Sequence, residues 1–153
     1  MHIYVDADAC PVKEIIVAQA KRRAVPVTMV TDTSHELLDG YSRIITVDKA
    51  RDSADFKLIN LVYAGDIVVT QDYGVAAMAL SKRAHPIHPS GMLYTAENID
   101  QLLFERHLGQ KVRRSGGRTR GNHKRTAADD AAFEQSLCSL LETLCTAGKD
   151  HRA

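Results

Sequence analysis

A chain of 153 residues can bury one full core without disulfide staples, and 44% apolar with 25% charged residues is the balance of an ordinary water-soluble globular protein. No apolar run approaches the roughly 20 residues that span a bilayer, and the acids Asp6 and Asp8 exclude a secretory or transit peptide at the start. The net charge of +1 is uninformative as a total, but no acid lies between Arg106 and Ala128, so the charge is unevenly spread.

Cys10, Cys138 and Cys145 form no C-x-x-C pair. An odd count without a signal peptide predicts reduced thiols in a cytoplasmic protein. Taken in order, Ile3–Val5 reads as a short buried strand leading into Asp6 and Asp8. Pro11 to Arg23 has apolar residues at Val12, Ile15, Ile16 and Ala20, a helical spacing, and Pro suits a first helical turn. Val25–Val30 is a second strand, followed by Asp32 and one helical turn around Glu36–Leu38. Arg43–Val47 is a third strand, ending at Asp48. A helix then runs from Asp52 to about Ala64, stopped by Gly65. Ile67–Thr70 is a fourth strand ending at Gln71-Asp72, Gly74–Lys82 a helix, and Ala84–His88 a fifth strand. Thr95–His107 is a helix, Lys111–Arg125 lacks periodicity, and Thr126–Thr146 is a last amphipathic helix.

Strands alternating with helices predict a three-layer α/β/α fold with a mainly parallel sheet, plus C-terminal helices, in a single domain over 1–153. In such a sheet the strand ends carrying Asp6, Asp8, Asp32, Asp48 and Asp72 all point to one edge, where ligands bind. Asp66 precedes its strand and belongs to the opposite edge. Clustered carboxylates with no zinc-spaced Cys/His set suit Mg²⁺ or Mn²⁺. Asp6, Asp8, Asp52, Asp55 and Asp72 are therefore the candidate metal ligands, and Asp6, Asp8, Asp55 and Asp72 the catalytic set. Thr70 is placed to orient a carboxylate or water. Asp52 also fits a helix N-cap, with Asp55 its capping-box partner, and Asp32 a turn former.

Two stretches carry a resemblance. Asp55–Ala64 followed by Ile67-Val-Val-Thr-Gln-Asp-Tyr73, with Asp6 ending the first strand, resembles PIN-like nuclease domains over about the first 90 residues. Asp6-Ala-Asp-Ala-Cys-Pro-Val12, Asp52-Ser-Ala-Asp55, Gly65–Gly74, Lys124-Arg-Thr126, and Asp129-Asp130 with Phe133 are similar to the YaiI/YqxD family of uncharacterised bacterial proteins, over nearly the whole chain. The PIN resemblance implies a sheet order of 3-2-1-4-5. The first and fourth strands then lie side by side, and Asp6, Asp8 and Asp72 face one crevice. Asp6-Ala-Asp8 also resembles the first motif of haloacid-dehalogenase-type phosphatases. Cys10 departs from that motif, and Gly65-Asp66 precedes a strand where that family's late motif follows one.

Lys111, Arg113, Arg114, Arg118, Arg120, Lys124 and Arg125 alternate with Gly, Ser and Asn, without an acid or an aromatic. The composition is that of a flexible connector that can neutralise phosphates. Lys13, Lys49 and Arg51 lie near the acidic edge and are further phosphate-binding candidates. Cys10 precedes a helix, which would lower its thiol pKa, but a packing role is favoured. Cys138 and Cys145 read as core, and His85 and His88 as strand-end residues. The sequence thus predicts a divalent-metal-dependent nuclease-like protein acting on phosphodiesters, RNA before DNA. The alternatives are a non-catalytic nucleic-acid-binding module of the same fold and a phosphatase.

Overall fold

The computed structural model describes residues 1–32, 38–48, 53–114, 116 and 124–150, with the side chains of 113, 114 and 148–150 excepted. The expected turn at 36–38 therefore lies mostly outside the described residues. The elements are β1 (Ile3–Asp6), α1 (Lys13–Arg22), β2 (Val27–Thr31), β3 (Arg43–Thr46), α2 (Ala54–Leu61), β4 (Ile67–Val69), α3 (Tyr73–Ser81), β5 (His85–Ile87), α4 (Ala96–Arg114) and α5 (Ala127–Asp150).

All four strand pairings are parallel, in the order β3-β2-β1-β4-β5. This is the expected order, and β1 and β4 are neighbours, with Tyr4 opposite Val68 and Val5 opposite Val69. Successive strand side chains point to opposite faces, so each strand feeds two cores. Ile3, Val5, Val27, Met29, Ile67 and Val69 pack with α1 and with Phe133, Leu137 and Leu141 of α5. Tyr4, Val30 and Val68 pack with α2 and α3 on the other side. Both faces are thereby covered, which is why β1, β2 and β4 are apolar almost throughout. A third cluster joins α4 to α3 through Ala76, Tyr94 and Ile99, with Leu102 and Leu103 against it. No helix among the described residues is long and apolar enough to cross a membrane.

Three local expectations change. Helix α1 starts at Lys13, two residues after Pro11, because Cys10 N–H bonds to Ala7 O and first makes a turn. Ala9 in that turn has φ of 59°, a left-handed conformation that non-glycine residues rarely adopt outside functional or tightly constrained loops. The N-cap of α2 is Ser53, not Asp52. Its hydroxyl accepts from Asp55 N–H at 3.1 Å and Phe56 N–H at 3.4 Å. Helix α4 continues to Arg114, so the basic segment begins on a helix instead of in a connector. Helix formation there needs no apolar period, because Lys and Arg are good helix formers and favour a C-terminal turn.

Candidate functional site

Period two on β1 and β4 puts Asp6 on the same face as Tyr4, and Thr70 on the same face as Val68. The Thr70 hydroxyl donates to Asp6 Oδ2 at 3.1 Å, and its oxygen accepts from Asp72 N–H at 3.0 Å. Thr70 is 1% exposed, and its carbonyl accepts the hydroxyl of the buried Tyr94 at 3.0 Å. One buried side chain thus holds Asp6, aims the chain at Asp72, and ties both to the wall behind them. The expectation that Thr70 orients a carboxylate corresponds to this bond.

Asp8 turns toward β2. Its Oδ1 accepts from the Thr31 hydroxyl at 2.5 Å and its Oδ2 from Asp32 N–H at 2.9 Å. Asp72 is the N-cap of α3. Its Oδ1 accepts from Gly74 N–H at 2.8 Å and Val75 N–H at 3.2 Å. A Cβ on residue 74 would lie 3.1 Å from that oxygen, so the glycine permits the close cap. Arg106, reaching over from α4, donates to the same oxygen at 3.4 Å.

Asp6, Asp8 and Asp72 line one crevice of about 360 Å³ with Ala9, Gln71, Tyr73 and Arg106. Asp55 stands close enough to Asp6 and Asp72 to interact with them electrostatically. Burial pushes the Asp6 carboxyl up to about 6 against the Thr70 hydrogen bond, and Asp55, Asp8 and Asp72 add to the rise. Asp55 is itself raised by burial and by Asp72, with Arg106 opposing. Larger depressions of about 520 and 540 Å³ lie beside α1, but none of the strand-end acids lines them. Volume is a weaker guide than convergent charge, so the smaller crevice is the candidate site.

Donor chemistry there is all oxygen, which fits Mg²⁺ or Mn²⁺. The spacing is looser than a closed cage. Among the described residues no group of three or more His, Cys, Asp or Glu could hold a metal ion between them.

The other predicted residues are dispersed. Lys13 bonds to Ala7 O at 3.3 Å, at the back of the β1–α1 loop. Lys124 is exposed. Arg125 is engaged with Asp130 Oδ1 at 2.7 Å and Pro89 O at 2.8 Å, where it braces the start of α5. Asp52, Lys49, Arg51, Arg118 and Arg120 lie outside the described residues, as do the side chains of Arg113 and Arg114. Asp66 is on the opposite edge as expected, where it caps His2 N–H and Tyr63 N–H. Cys10 is buried, and burial pushes its thiol up, not down. Cys138 and Cys145 are half-buried instead of core.

Arg106, Tyr73 and Gln71 were not marked by the sequence. Arg106 carried one legible signal: it lies three and four residues beyond Leu103 and Leu102, so a charge continues the face that packs on α3.

A family model described as "Uncharacterized BCR, YaiI/YqxD family" matches residues 4–143. A UPF0178 protein of Ruminiclostridium cellulolyticum is 64% identical over 142 residues, 93% of each chain. One from Lachnoclostridium phytofermentans is 55% identical over 147 residues, 94% of this chain and 99% of its own. Another, from Clostridium acetobutylicum, is 50% identical over 143 residues, 92% of this chain and 97% of its own. No solved structure gives a significant match. With a match across nearly its whole length and half to two thirds of its residues shared with these relatives, the chain belongs to the YaiI/YqxD family.

Proposed function

We propose that the protein is a divalent-metal-dependent hydrolase of phosphodiesters, with RNA as its substrate. The observation that carries this reading is the crevice at the β1–β4 switch point. Three carboxylates line it, Asp55 acts on Asp6 from beside it, and Asp6 is pushed up to about 6, by burial first and these acids second. Burial and the neighbouring carboxylates both disfavour the ionised Asp6, and a bound cation would offset that cost. Asp6 and Asp72 are the first candidates to hold Mg²⁺ or Mn²⁺, with Asp8 and Asp55 contributing through water. The bound ion would supply an activated water and offset charge on the displaced oxygen.

The chain's own residues do the rest. Thr70 aims Asp6 and favours its ionised form against burial by donating to Oδ2. The α3 amides hold Asp72 by one oxygen, so its other oxygen is directed away from the cap. Asp8 is steadied by Thr31 and Asp32 at the far wall. The basic stretch from Lys111 onward would attract the polyanion.

A second reading is a nucleic-acid-binding module without catalysis. The loose spacing of the acids and the commitment of Asp8 and Asp72 to protein donors favour it. One assay separates the two. Purified protein with MnCl₂ and end-labelled single-stranded RNA is expected to give cleavage that Asp6→Asn and Asp72→Asn each abolish. Asn is as good an N-cap as Asp, so Asp72→Asn leaves α3 intact and isolates the charge. Binding without cleavage by the parent protein overturns the hydrolase. Phosphate released from a small phosphomonoester, with RNA untouched, would favour a phosphatase.

A further inference from the structure

The crevice has one wall that the acids do not form. Arg106 comes from α4 and Tyr73 from the first turn of α3, and both line it. The Arg106 contact to Asp72 is single and long at 3.4 Å, and the Arg106 side chain is 46% exposed. Exposed ion pairs of this kind contribute little, at most about 1 kcal/mol, so the contact places the guanidinium without consuming it. A guanidinium has five donors in a planar fork that matches phosphate oxygens. It is also near enough to Asp55 to oppose the rise of that carboxyl.

Tyr73 is held differently. Its ring meets the edge of Tyr94 at a centroid distance of 6.0 Å and an angle of 66°. Tyr94 is 3% exposed and fixed by its hydroxyl to Thr70 O. The same Thr70 aims Asp6, so the aromatic wall and the acid share one rigid support. A pre-positioned ring beside a cation is what single-stranded nucleic acid recognition requires, because every base offers a π-face for stacking. A duplex keeps its bases stacked on each other and offers such a ring nothing.

We infer that Arg106 and Tyr73 form the substrate-gripping wall of the crevice. Arg106 binds a phosphate of the chain, Tyr73 stacks on the adjoining base, and the pair restricts the substrate to single strands. This rests on the proposed reading of the crevice as a phosphodiester site. The test is fluorescence anisotropy with a fluorescein-labelled single-stranded oligoribonucleotide and its duplex, in CaCl₂, paired with cleavage assays in MnCl₂. Arg106→Ala is expected to weaken single-strand binding about tenfold and to lower the salt slope by about one. Tyr73→Leu is expected to weaken it about tenfold with the slope unchanged, and Tyr73→Phe to restore it. Equal affinity for duplex and single strand, or unchanged affinity in both Arg106→Ala and Tyr73→Leu, overturns the inference. In the latter case Asp6→Asn can still abolish cleavage, and the hydrolase stands alone. If no protein cleaves but the two variants lose binding as described, the gripping wall stands and the hydrolase falls. Thermal unfolding of each variant distinguishes a lost contact from a lost fold, and Tyr73→Phe keeps the ring packing as the control.

Discussion

The Thr70 hydroxyl donates to Asp6 across the β1–β4 boundary at 3.1 Å, and the same oxygen takes the N–H of Asp72. Removing that hydroxyl unsatisfies two partners at once. Thr70→Val keeps the shape and is expected to destabilise the fold by about 1 kcal/mol, from two half-buried partners left without a bond. It should also raise the Asp6 carboxyl further, because the hydrogen bond is the contribution that lowers it. Urea unfolding and a carboxyl NMR titration check both effects, and Thr70→Ser should recover most of each.

Asp6 predicts a pH dependence of stability. Its carboxyl is raised from the usual 3.8 to about 6. The folded state therefore binds the proton more tightly than the unfolded chain, and stability falls as pH rises through the window from about 4 to 6. Above that window the ionised Asp6 is a fixed liability. Asp6→Asn is expected to be more stable than the parent at pH 7 and no more stable below pH 4, measured by denaturant unfolding at each pH.

The same liability is what a cation would relieve. Adding MgCl₂ at about a hundredfold over its dissociation constant should stabilise the parent by about 2.7 kcal/mol at pH 7. The gain should be much smaller in Asp6→Asn. A melting temperature that magnesium leaves unchanged in the parent would count against metal binding at the crevice.

Ser53, not a carboxylate, starts α2. Ser53→Ala should destabilise the protein by about 1 kcal/mol through the lost cap, and Ser53→Thr should not. Because Asp55 rides on that first turn, the alanine variant should also lose part of any cleavage activity. Chemical denaturation and the cleavage assay together separate the two consequences.

Gly91 meets α5 backbone to backbone. It has φ of +94°, and a Cβ there would lie 2.8 Å from Ala132 O and 3.3 Å from Phe133 Cα. Gly91→Ala combines an unfavourable φ with a clash against helix backbone, which cannot swing aside. Loss of at least 2 kcal/mol, roughly, is expected. Phe133→Ala, which removes a fully buried ring, should lose about 3–5 kcal/mol. Both changes should expose α5 to proteolysis.

Most elements were legible from the sequence because buried parallel strands and amphipathic helices write their burial into residue type, whereas the sheet order was implied only by the resemblance to PIN-like domains. The gathering of Asp6, Asp8 and Asp72 followed from topology, since the carboxyl ends of parallel strands share an edge. What was not legible were choices made by partners distant in the chain. Asp55 lies three positions after Asp52, as a capping box requires, yet Ser53 takes the cap. The seven basic residues of 111–125 share a composition, yet Arg125 is locked to Pro89 and Asp130 while Lys111 lies in the last turn of α4.

Alternation and apolar period thus determined an α/β sheet with its acids on one edge, because these are properties of consecutive residues. Only the tertiary structure decided that Arg106 and Tyr73 share the crevice with those acids. That depends on α4 packing across α3 through Ile99, Leu102 and Leu103, a contact whose energy is spread over apolar atoms that specify no partner by themselves.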